Sequence, residues 1–340
     1  MPAKPETGRR AAPPMIFFLT TRRHGYTFRH YLDSFGERLR GQFQQLAYGD
    51  LFRRRSLPAG TYVFADLERL CPRNLSLAGN VWTALAASGR CRLLNDPVRT
   101  LRRYDLLQSL HEHGFNDFRV YRFAEDLSTV RFPVFLRGED DHKGGLTPLI
   151  EDAAELAASI RQTRRSARLR RANLITEFYD TADAGGLYRK YSAFCVGERV
   201  FARHVFFSRQ WMIKSPNLLE LPLLDEERRY VEENPHQGAL ADIFAVAGVG
   251  YGRIDYALHA GRIQTWEINT NPMIMTADDR RCEPRIPMQE LFAGRLEEAF
   301  LSLDDHGPDA GPPIRVDPPD RRRIAKWRSL RERIWHALYV

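Results

Sequence analysis

The sequence has little cysteine and no long apolar run near its start, and each shortage excludes a class of protein. Its four cysteines are scattered without a CxxC pair, which excludes a disulfide framework and a cysteine-rich zinc site and indicates a reducing, cytoplasmic setting. The first apolar run covers only residues 15–19, far short of the roughly 20 residues that span a bilayer. No apolar stretch precedes it, so no secretory signal is expected.

Lysine is also scarce: only five of the 51 basic residues are lysine, and the rest are arginine. The bias itself is typical of a GC-rich genome. Where arginine is the default cation, a retained lysine indicates a place that needs a compact point charge. Two of the five lie in the tails, and the other three are Lys143, Lys190 and Lys214.

The charge and size of the chain restrict its partners and its organisation. The net charge of +8 is compatible with nucleic acid, acidic membranes or phosphorylated ligands. The excess is diffuse and no nucleic-acid motif accompanies it, so nucleic acid is not expected as a partner. With 340 residues, 43% of them hydrophobic, the chain can form two or three packed lobes.

Composition and hydrophobic pattern divide the chain into two tails and three lobes. The pattern of alternating strands and helices after the first tail predicts a small α/β lobe with a parallel sheet. The basic amphipathic helix at the C-terminus is expected to pack on the body or on a second subunit, and a membrane surface is the alternative. The predicted segments are a disordered tail (1–14), a preceding α/β lobe (15–95), a central lobe (96–172), a C-terminal lobe (173–303), and a linker with the basic helix (304–340).

Several local elements are also predicted from periodicity and turn residues. They are a helix over 31–46, a helix that opens at Asn95, hairpins over 188–207 and 252–268, a strand over 210–214, and a mostly helical stretch over 222–247.

The most informative stretch carries two short polar motifs on a predicted hairpin. Residues two apart on a strand face the same side, so Arg253 and Asp255 point together, as do Glu267 and Asn269. The hairpin places Asp255 beside Glu267 and Asn269. Two carboxylates and an amide oxygen suit Mg²⁺, with phosphates and waters completing the shell. An exposed polar hairpin face is the alternative interpretation of the same spacing.

This stretch, Arg-x-Asp and then Glu-x-Asn-Thr-x-Pro, resembles the metal-binding hairpin of the ATP-grasp superfamily, and is closest in pattern to D-alanine–D-alanine ligases and related carboxylate–amine ligases. The resemblance implies an α+β ATP-grasp fold, in which an α/β preceding lobe is followed by two lobes that clasp ATP. It implies that Asp255, Glu267 and Asn269 hold two Mg²⁺ ions, or Mn²⁺, on the ATP phosphates, and that Arg253 stabilises the reaction intermediate. Met273 stands where D-alanine ligases have glycine, which argues against D-alanine as substrate.

Upstream segments resemble the phosphate-binding parts of the same family. Arg103, early on a predicted helix, and Arg137, at the end of a predicted strand, take two positions where the family has a phosphate-contacting lysine. The loop that carries Lys143, Gly144 and Gly145 resembles the glycine-rich loop that closes over the phosphates. Flexible glycines let backbone N–H groups approach phosphate oxygens.

The strand over 174–179 resembles the hinge strand of the family. The resemblance implies that Glu177, with the following groups of Tyr179 and Asp180, reads the edge of adenine. Lys190 stands where the family has a ribose-binding carboxylate, so it either reaches a phosphate or is an exposed strand residue.

Further basic residues complete the implied site. Arg203 and Lys214 resemble residues that contact the transferred phosphate in ribosomal-protein glutamate ligases. The three lysines outside the tails, Lys143, Lys190 and Lys214, therefore fall on segments predicted to line one site.

The first lobe offers candidates for substrate binding. His24, Arg29 and His30 follow the first strand, where the family binds its carboxylate substrate, and the alternative is that they are ordinary surface residues.

The resemblance implies an ATP-dependent carboxylate–amine ligase that forms an acyl phosphate and releases ADP and phosphate. Its substrates would be a small-molecule carboxylate and an amine, neither of which the sequence identifies. An ATP-grasp kinase acting on a hydroxyl group is one alternative. A non-catalytic nucleotide-binding scaffold is another, against which the complete Asp/Glu/Asn set argues. A homodimer is left open.

Overall fold

A computed structural model describes residues 15–140, 144–163, 165, 173–215, 218–303 and 311–316. The predicted N-terminal tail, Lys143 and the predicted C-terminal basic helix lie outside the described residues.

The described residues form α-helices and β-strands, numbered here in chain order. No helix among them is long and apolar enough to cross a bilayer. The helices are α1 (Tyr26–Ser34), α2 (Tyr48–Leu51), α3 (Pro72–Ala87), α4 (Arg103–Glu112), α5 (Ala153–Thr163), α6 (Leu221–Glu233), α7 (Gln237–Ala247) and α8 (Ile286–Leu301). The strands are β1 (Ile16–Thr20), β2 (Phe43–Ala47), β3 (Ser56–Leu57), β4 (Gly60–Phe64), β5 (Cys91–Leu94), β6 (Val120–Arg122), β7 (Val134–Arg137), β8 (Leu174–Glu177), β9 (Tyr188–Val196), β10 (Arg199–Ser208), β11 (Tyr251–His259), β12 (Arg262–Asn269) and β13 (Ile314–Arg315).

The first sheet is parallel, with strand order β2-β1-β4-β5. All of β1 is buried, as expected for a parallel strand covered on both faces. The predicted helix over 31–46 is wrong beyond Ser34, where α1 ends, because a 3₁₀ helix covers Glu37–Gln42 and β2 begins at Phe43. Gly36 and Gly41 fall inside the helix-like apolar spacing, and glycine weakens a helix interior.

A side-chain bridge joins the first lobe to the rest of the chain at Asn95. The predicted helix start there is wrong, since α4 begins at Arg103. Asn95 instead adopts a left-handed backbone (φ 65°). Its amide donates to the carbonyl oxygens of Phe64 (3.2 Å) and Tyr251 (2.8 Å) and accepts from the backbone N–H groups of Gly250 and Tyr251, both at 2.9 Å. This bridge holds β4 against β11.

Two further sheets form the remainder of the fold. One is three-stranded, in the order β6-β8-β7, and the other is four-stranded and antiparallel, in the order β10-β9-β11-β12. Both predicted hairpins of the four-stranded sheet are confirmed. The helical stretch predicted over 222–247 is divided at Asn234, whose left-handed backbone (φ 50°) ends α6 and whose side chain bonds the backbone of Val200 and Ala202.

Part of the predicted linker is packed against the first lobe. Residues 314–315 form β13, which pairs with β3, and Ile314 and Val316 are buried in the apolar cluster of that lobe. The alternating apolar residues Ile314 and Val316 explain the difference, because they offer one buried face within a Pro- and Gly-rich stretch.

Candidate functional site

A cavity of about 280 Å³ lies between the three-stranded and the four-stranded sheet. One part of its wall is aromatic, and the other part carries five basic and two acidic side chains. The aromatic residues are Phe135, Phe178, Tyr179, Tyr188, Trp211 and Trp266. The charged residues are Arg137, Arg189, Lys190, Lys214, Arg253, Asp255 and Glu267. A flat apolar wall beside a net positive wall suits a ligand that joins an aromatic ring to phosphates.

The segment after β10 closes the aromatic part of the cavity. The strand predicted over 210–214 is not formed, because the chain turns after Ser208, whose hydroxyl accepts from the N–H of Gln210 (2.9 Å). Trp211 then packs across the cavity, with its ring 5.0 Å from Phe135 and 5.7 Å from Phe178. This contact joins the two sheets at one end of the site.

Asp255 and Glu267 lie directly opposite each other on β11 and β12, as predicted. The Asp255 carboxylate accepts from the Ser192 hydroxyl (2.6 Å) and from the Arg253 guanidinium (2.9 and 3.3 Å). The Lys190 ammonium lies 3.7 Å from the same carboxylate. The Lys190 side chain is 17% exposed and lines the cavity, so the alternative of an exposed strand residue is wrong.

Glu267 lies between two arginines that come from the other side of the cavity. The Arg137 guanidinium donates to its Oε2 at 2.9 Å, and Arg103 donates to the same oxygen. Arg103 also donates to the carbonyl oxygens of Gly138 (2.6 Å) and Glu139 (3.0 Å). Arg103 therefore joins the hairpin to the start of the glycine-rich loop.

Asn269 lies opposite Arg253 at the end of β12, and its Oδ1 accepts from the N–H of Asn271 (2.8 Å). Asn271 is fixed in turn by the first lobe. It accepts from the Thr27 hydroxyl (2.7 Å) and donates to the carbonyl oxygen of His24 (3.1 Å). The first lobe thus positions the end of the metal-binding hairpin predicted from the sequence. Two of the three predicted substrate residues, Arg29 and His30, are exposed.

Gly144 and Gly145, the described glycines of the glycine-rich loop, lie against the segment that follows β10. Gly144 has a left-handed backbone (φ 77°), which strains other residues. A Cβ added at Gly145 would lie 2.7 Å from the Met212 side chain and 3.2 Å from Phe135. A Cβ at Gly144 would lie 3.6 Å from Lys214 Cε. Both glycines and Lys214 therefore line the cavity together.

The adenine-reading role predicted for the Glu177 side chain is contradicted. The carboxylate is buried (1% exposed) and accepts from the Tyr121 hydroxyl (3.0 Å), the Arg119 and Arg131 N–H groups (2.9 and 3.0 Å) and the Arg131 guanidinium (2.8 Å). Burial opposes its charged form, but the bonds from Arg131 and Arg119 outweigh burial and lower the pKa of Glu177. Its side chain supports the hinge and leaves only backbone groups for a ligand.

We expect Glu177→Gln to lower the free energy of unfolding by about 2 kcal/mol at pH 7, because it removes a buried charge-assisted network. The folded-state pKa is lowered, so the stability from Glu177 is present above its unfolded pKa, near 4.3, and disappears as the pH falls through the folded value. Denaturant unfolding from pH 7 to pH 3 measures both effects, and the variant should lose less stability on acidification than the parent chain.

The matched control is Glu298→Gln, because the Glu298 side chain is 71% exposed. This substitution should change the free energy of unfolding by less than about 0.5 kcal/mol. Equal stability of the Glu177 variant and the parent at pH 7 would contradict the structural role.

The phosphate contact predicted for Arg203 is also contradicted. Its guanidinium is buried (5% exposed) and is directed at the Ile274 carbonyl (3.3 Å), Gln289 and Asp279 (3.5 Å) rather than at the cavity. Burial lowers the pKa of Arg203 to about 10. The irregular pairing between Ala202 and His204 shifts the alternation of β10, which period-two reasoning assumes.

Two other predicted hinge residues differ from each other. Tyr179 lines the cavity, and its hydroxyl donates to Asp117 (3.2 Å). The Asp180 carboxylate instead accepts from the N–H of Ala182 (3.0 Å), and Asp180 is not among the lining residues.

Sequence reasoning missed Arg189 and, apart from Tyr179, the aromatic wall. Phe135 could have been found, since it lies two residues before Arg137 on β7 and so shares its face. Trp266 could not, because Thr265 and Glu267 both have partners on β11 and Trp266 is the extra residue of a bulge. The bulge lets Trp266 and Glu267 line the same cavity.

The charged part of the cavity fits a divalent cation shared with phosphate. Asp255, Glu267 and Asn269 supply hard oxygen ligands from neighbouring strand positions. Among the described residues, no group of three or more His, Cys, Asp or Glu side chains is placed to hold a metal ion. Two carboxylates and one amide leave several positions of a six-coordinate shell to phosphates and waters, so an ion would depend on a ligand for part of its coordination.

No protein-family model and no curated protein sequence matches the chain. Among solved structures, it is similar to the ATP-grasp ligase PsnB complexed with minimal precursor, at 13% identity over 85% of this chain and 99% of that chain (TM-score 0.50). It is also similar to the D-alanine–D-alanine ligase of Coxiella burnetii, at 10% identity over 86% of this chain and 96% of that chain (TM-score 0.50). Likeness at this identity shows the fold alone, and it confirms the expected α+β fold.

Proposed function

Because this chain has the ATP-grasp fold, we propose that it is an ATP-dependent carboxylate–amine ligase that works through an acyl phosphate and releases ADP and phosphate. The observation that carries the proposal is the pair Asp255 and Glu267, which face each other in a cavity that also holds five basic side chains and an aromatic wall. A pair of carboxylates among cations suits the binding of metal-bound phosphates better than the binding of an uncharged ligand.

The aromatic wall supports binding of the adenine ring. Phe178 and Trp211 present flat apolar faces to the cavity, and such faces stack on heterocycles. Phe178 and Tyr179 directly follow β8. The Phe178 N–H already donates to the carbonyl oxygen of Pro133 (2.9 Å), so the Phe178 carbonyl and the backbone groups of Tyr179 would supply the hydrogen bonds at the edge of the ring. The ordered carboxylate of Glu177 holds this hinge in place.

The basic wall supports binding of the triphosphate. Arg103, Arg137 and Lys190 surround the two carboxylates, and Lys214 lies beside the glycine-rich loop. Charge-assisted hydrogen bonds from arginine and lysine are strong and directional toward phosphate. These side chains would orient the terminal phosphate toward the hairpin.

Two magnesium ions, or two manganese ions in their place, would be held by Asp255, Glu267 and Asn269. When bound, the ions neutralise charge on the transferring phosphoryl group. Arg253 is held between Asp255 and the carbonyl oxygen of Met273 (3.3 Å). From there its guanidinium would stabilise the negative charge that develops on the substrate's carbonyl oxygen.

Product analysis tests the reaction class. A panel of small carboxylic acids and amines is incubated with the chain and MgATP, and we expect ADP, phosphate and the ligated product in equal amounts. With hydroxylamine in place of the amine, the acyl phosphate should be trapped as a hydroxamate.

The kinase alternative gives a different result, namely ADP with a phosphorylated product, little free phosphate and no hydroxamate. AMP and pyrophosphate would contradict both readings, because cleavage at the β–γ bond gives neither. Reactions without the acid measure background hydrolysis.

A further inference from the structure

Both carboxylates of the charged wall are already paired with cations that come from different parts of the chain. Glu267 Oε2 accepts from Arg103, the first residue of α4, and from Arg137 on β7 (2.9 Å). Asp255 faces Lys190 on β9 (3.7 Å) and accepts from Arg253 on its own strand (2.9 Å). We call Arg103, Arg137 and Lys190 the cation clamp.

The clamp surrounds the carboxylate oxygens that would coordinate a divalent cation with an excess of positive charge. Among the described residues, four basic side chains, the clamp and Arg253, contact these two carboxylates, and the six groups together carry two positive charges. The Arg103, Arg137 and Glu267 side chains are each no more than 15% exposed. Partial burial reduces screening by solvent, which strengthens repulsion between this patch and a free metal ion.

The same three clamp side chains are suited to bind phosphate. Arginine offers a planar fork of donors to phosphate oxygens, and lysine offers a compact charge. A triphosphate carries enough negative charge to compete with Asp255 and Glu267 for all three cations. When the cations turn to phosphate, the carboxylate oxygens lose their donors and become able to coordinate a metal.

On the basis of the proposed function, we infer that the cation clamp makes metal binding conditional on nucleotide: it blocks free divalent cations and releases the two carboxylates when a nucleoside triphosphate takes the clamp side chains. Arg103 extends this coupling to the glycine-rich loop. Its second donor group holds the carbonyl oxygens of Gly138 and Glu139, so the residue that releases Glu267 also contacts the start of the loop.

The test measures binding of Mn²⁺ alone, by electron paramagnetic resonance of the unbound ion, with no nucleotide present. Wild-type protein should bind Mn²⁺ weakly, while Arg137→Met and Lys190→Met should each bind it at least about tenfold more tightly, because each removes one of the cations that contact a carboxylate. Adding Glu267→Gln to Arg137→Met should remove the gain and so locate the ion. The two single variants act on different carboxylates, so failure of one to fold leaves the other as a test.

The second readout is affinity for a non-hydrolysable ATP analogue in EDTA, where no metal contributes. Arg137→Met should lose at least about tenfold in this affinity, since its guanidinium is needed by phosphate. Lys214→Met is the matched control, because Lys214 lies beside Gly144 instead. It should lose analogue affinity without gaining Mn²⁺ affinity.

The outcomes separate this inference from the proposed function. Wild-type protein that binds free Mn²⁺ as tightly as the two variants overturns the clamp, even if the analogue binds normally. A gain in Mn²⁺ affinity with unchanged analogue affinity also overturns it, because the side chains then only neutralise the carboxylates. Wild-type protein that fails to bind the analogue at all counts against the proposed function.

Discussion

We expect Glu267→Gln to reduce ATP turnover by about a thousandfold while the protein stays folded. The change keeps the shape of the side chain but removes the negative charge that would hold a cation on the transferring phosphate, and losses of this size follow removal of a transition-state charge partner. The amide oxygen of glutamine can still accept from Arg103 or Arg137, so the packing of the cavity wall is kept. Steady-state ADP release at saturating Mg²⁺ measures the effect.

Asn269→Ala is the companion variant and should also abolish turnover, since it removes the third proposed oxygen ligand. Glu298→Gln again serves as the matched control, because it makes the same chemical change on the exposed surface of α8. Circular dichroism and thermal unfolding should show all three variants folded. Near-normal turnover by either site variant would mean that its side chain does not hold the metal.

The second large effect is expected for Arg253→Met, which should lower kcat by about a hundredfold and leave affinity for the ATP analogue within about threefold of the parent value. Arg253 lies opposite Asn269 in the charged part of the cavity and donates to Asp255 and to the Met273 carbonyl oxygen. A guanidinium that acts mainly on charge developed during the reaction changes kcat more than ground-state binding.

Arg228→Met on α6 is the control for loss of an arginine, since its side chain is 50% exposed and pairs only with surface carboxylates among the described residues. It should leave kcat and analogue affinity unchanged. A loss of analogue affinity with unchanged kcat in the Arg253 variant would assign that residue to nucleotide binding instead of to the chemical step.

The hairpin residues illustrate what could be predicted from the chain alone. Asp255 and Glu267 face each other as predicted, and the hairpin itself follows from local rules, since both strands and their turn occupy 19 residues. The turn at Ala260 and Gly261 alone would pair Asp255 with Trp266, and the bulge at Trp266 brings Glu267 into that position instead.

Predictions that needed the tertiary environment succeeded less often. Glu177 and Arg203 were both assigned to the nucleotide, yet each is buried among partners far apart in sequence, including Arg131 for the first and Ile274 for the second. Charge in a strand pattern does not tell which side chain has a buried partner, because the partner is chosen by folding. Trp211 was missed for the same reason, since its position depends on contacts with Phe135 and Phe178.

The sequence by itself determined the parallel first sheet, the two hairpins and the chemical identity of the oxygen ligands, because each depends on local periodicity, turns and residue type. Only the tertiary structure decided that Arg103 and Arg137 meet Glu267 and that Lys190 meets Asp255. Those contacts join α4, β7 and β9 to one hairpin across long stretches of chain. Pairings of this range follow from how sheets and helices pack, which no local pattern specifies.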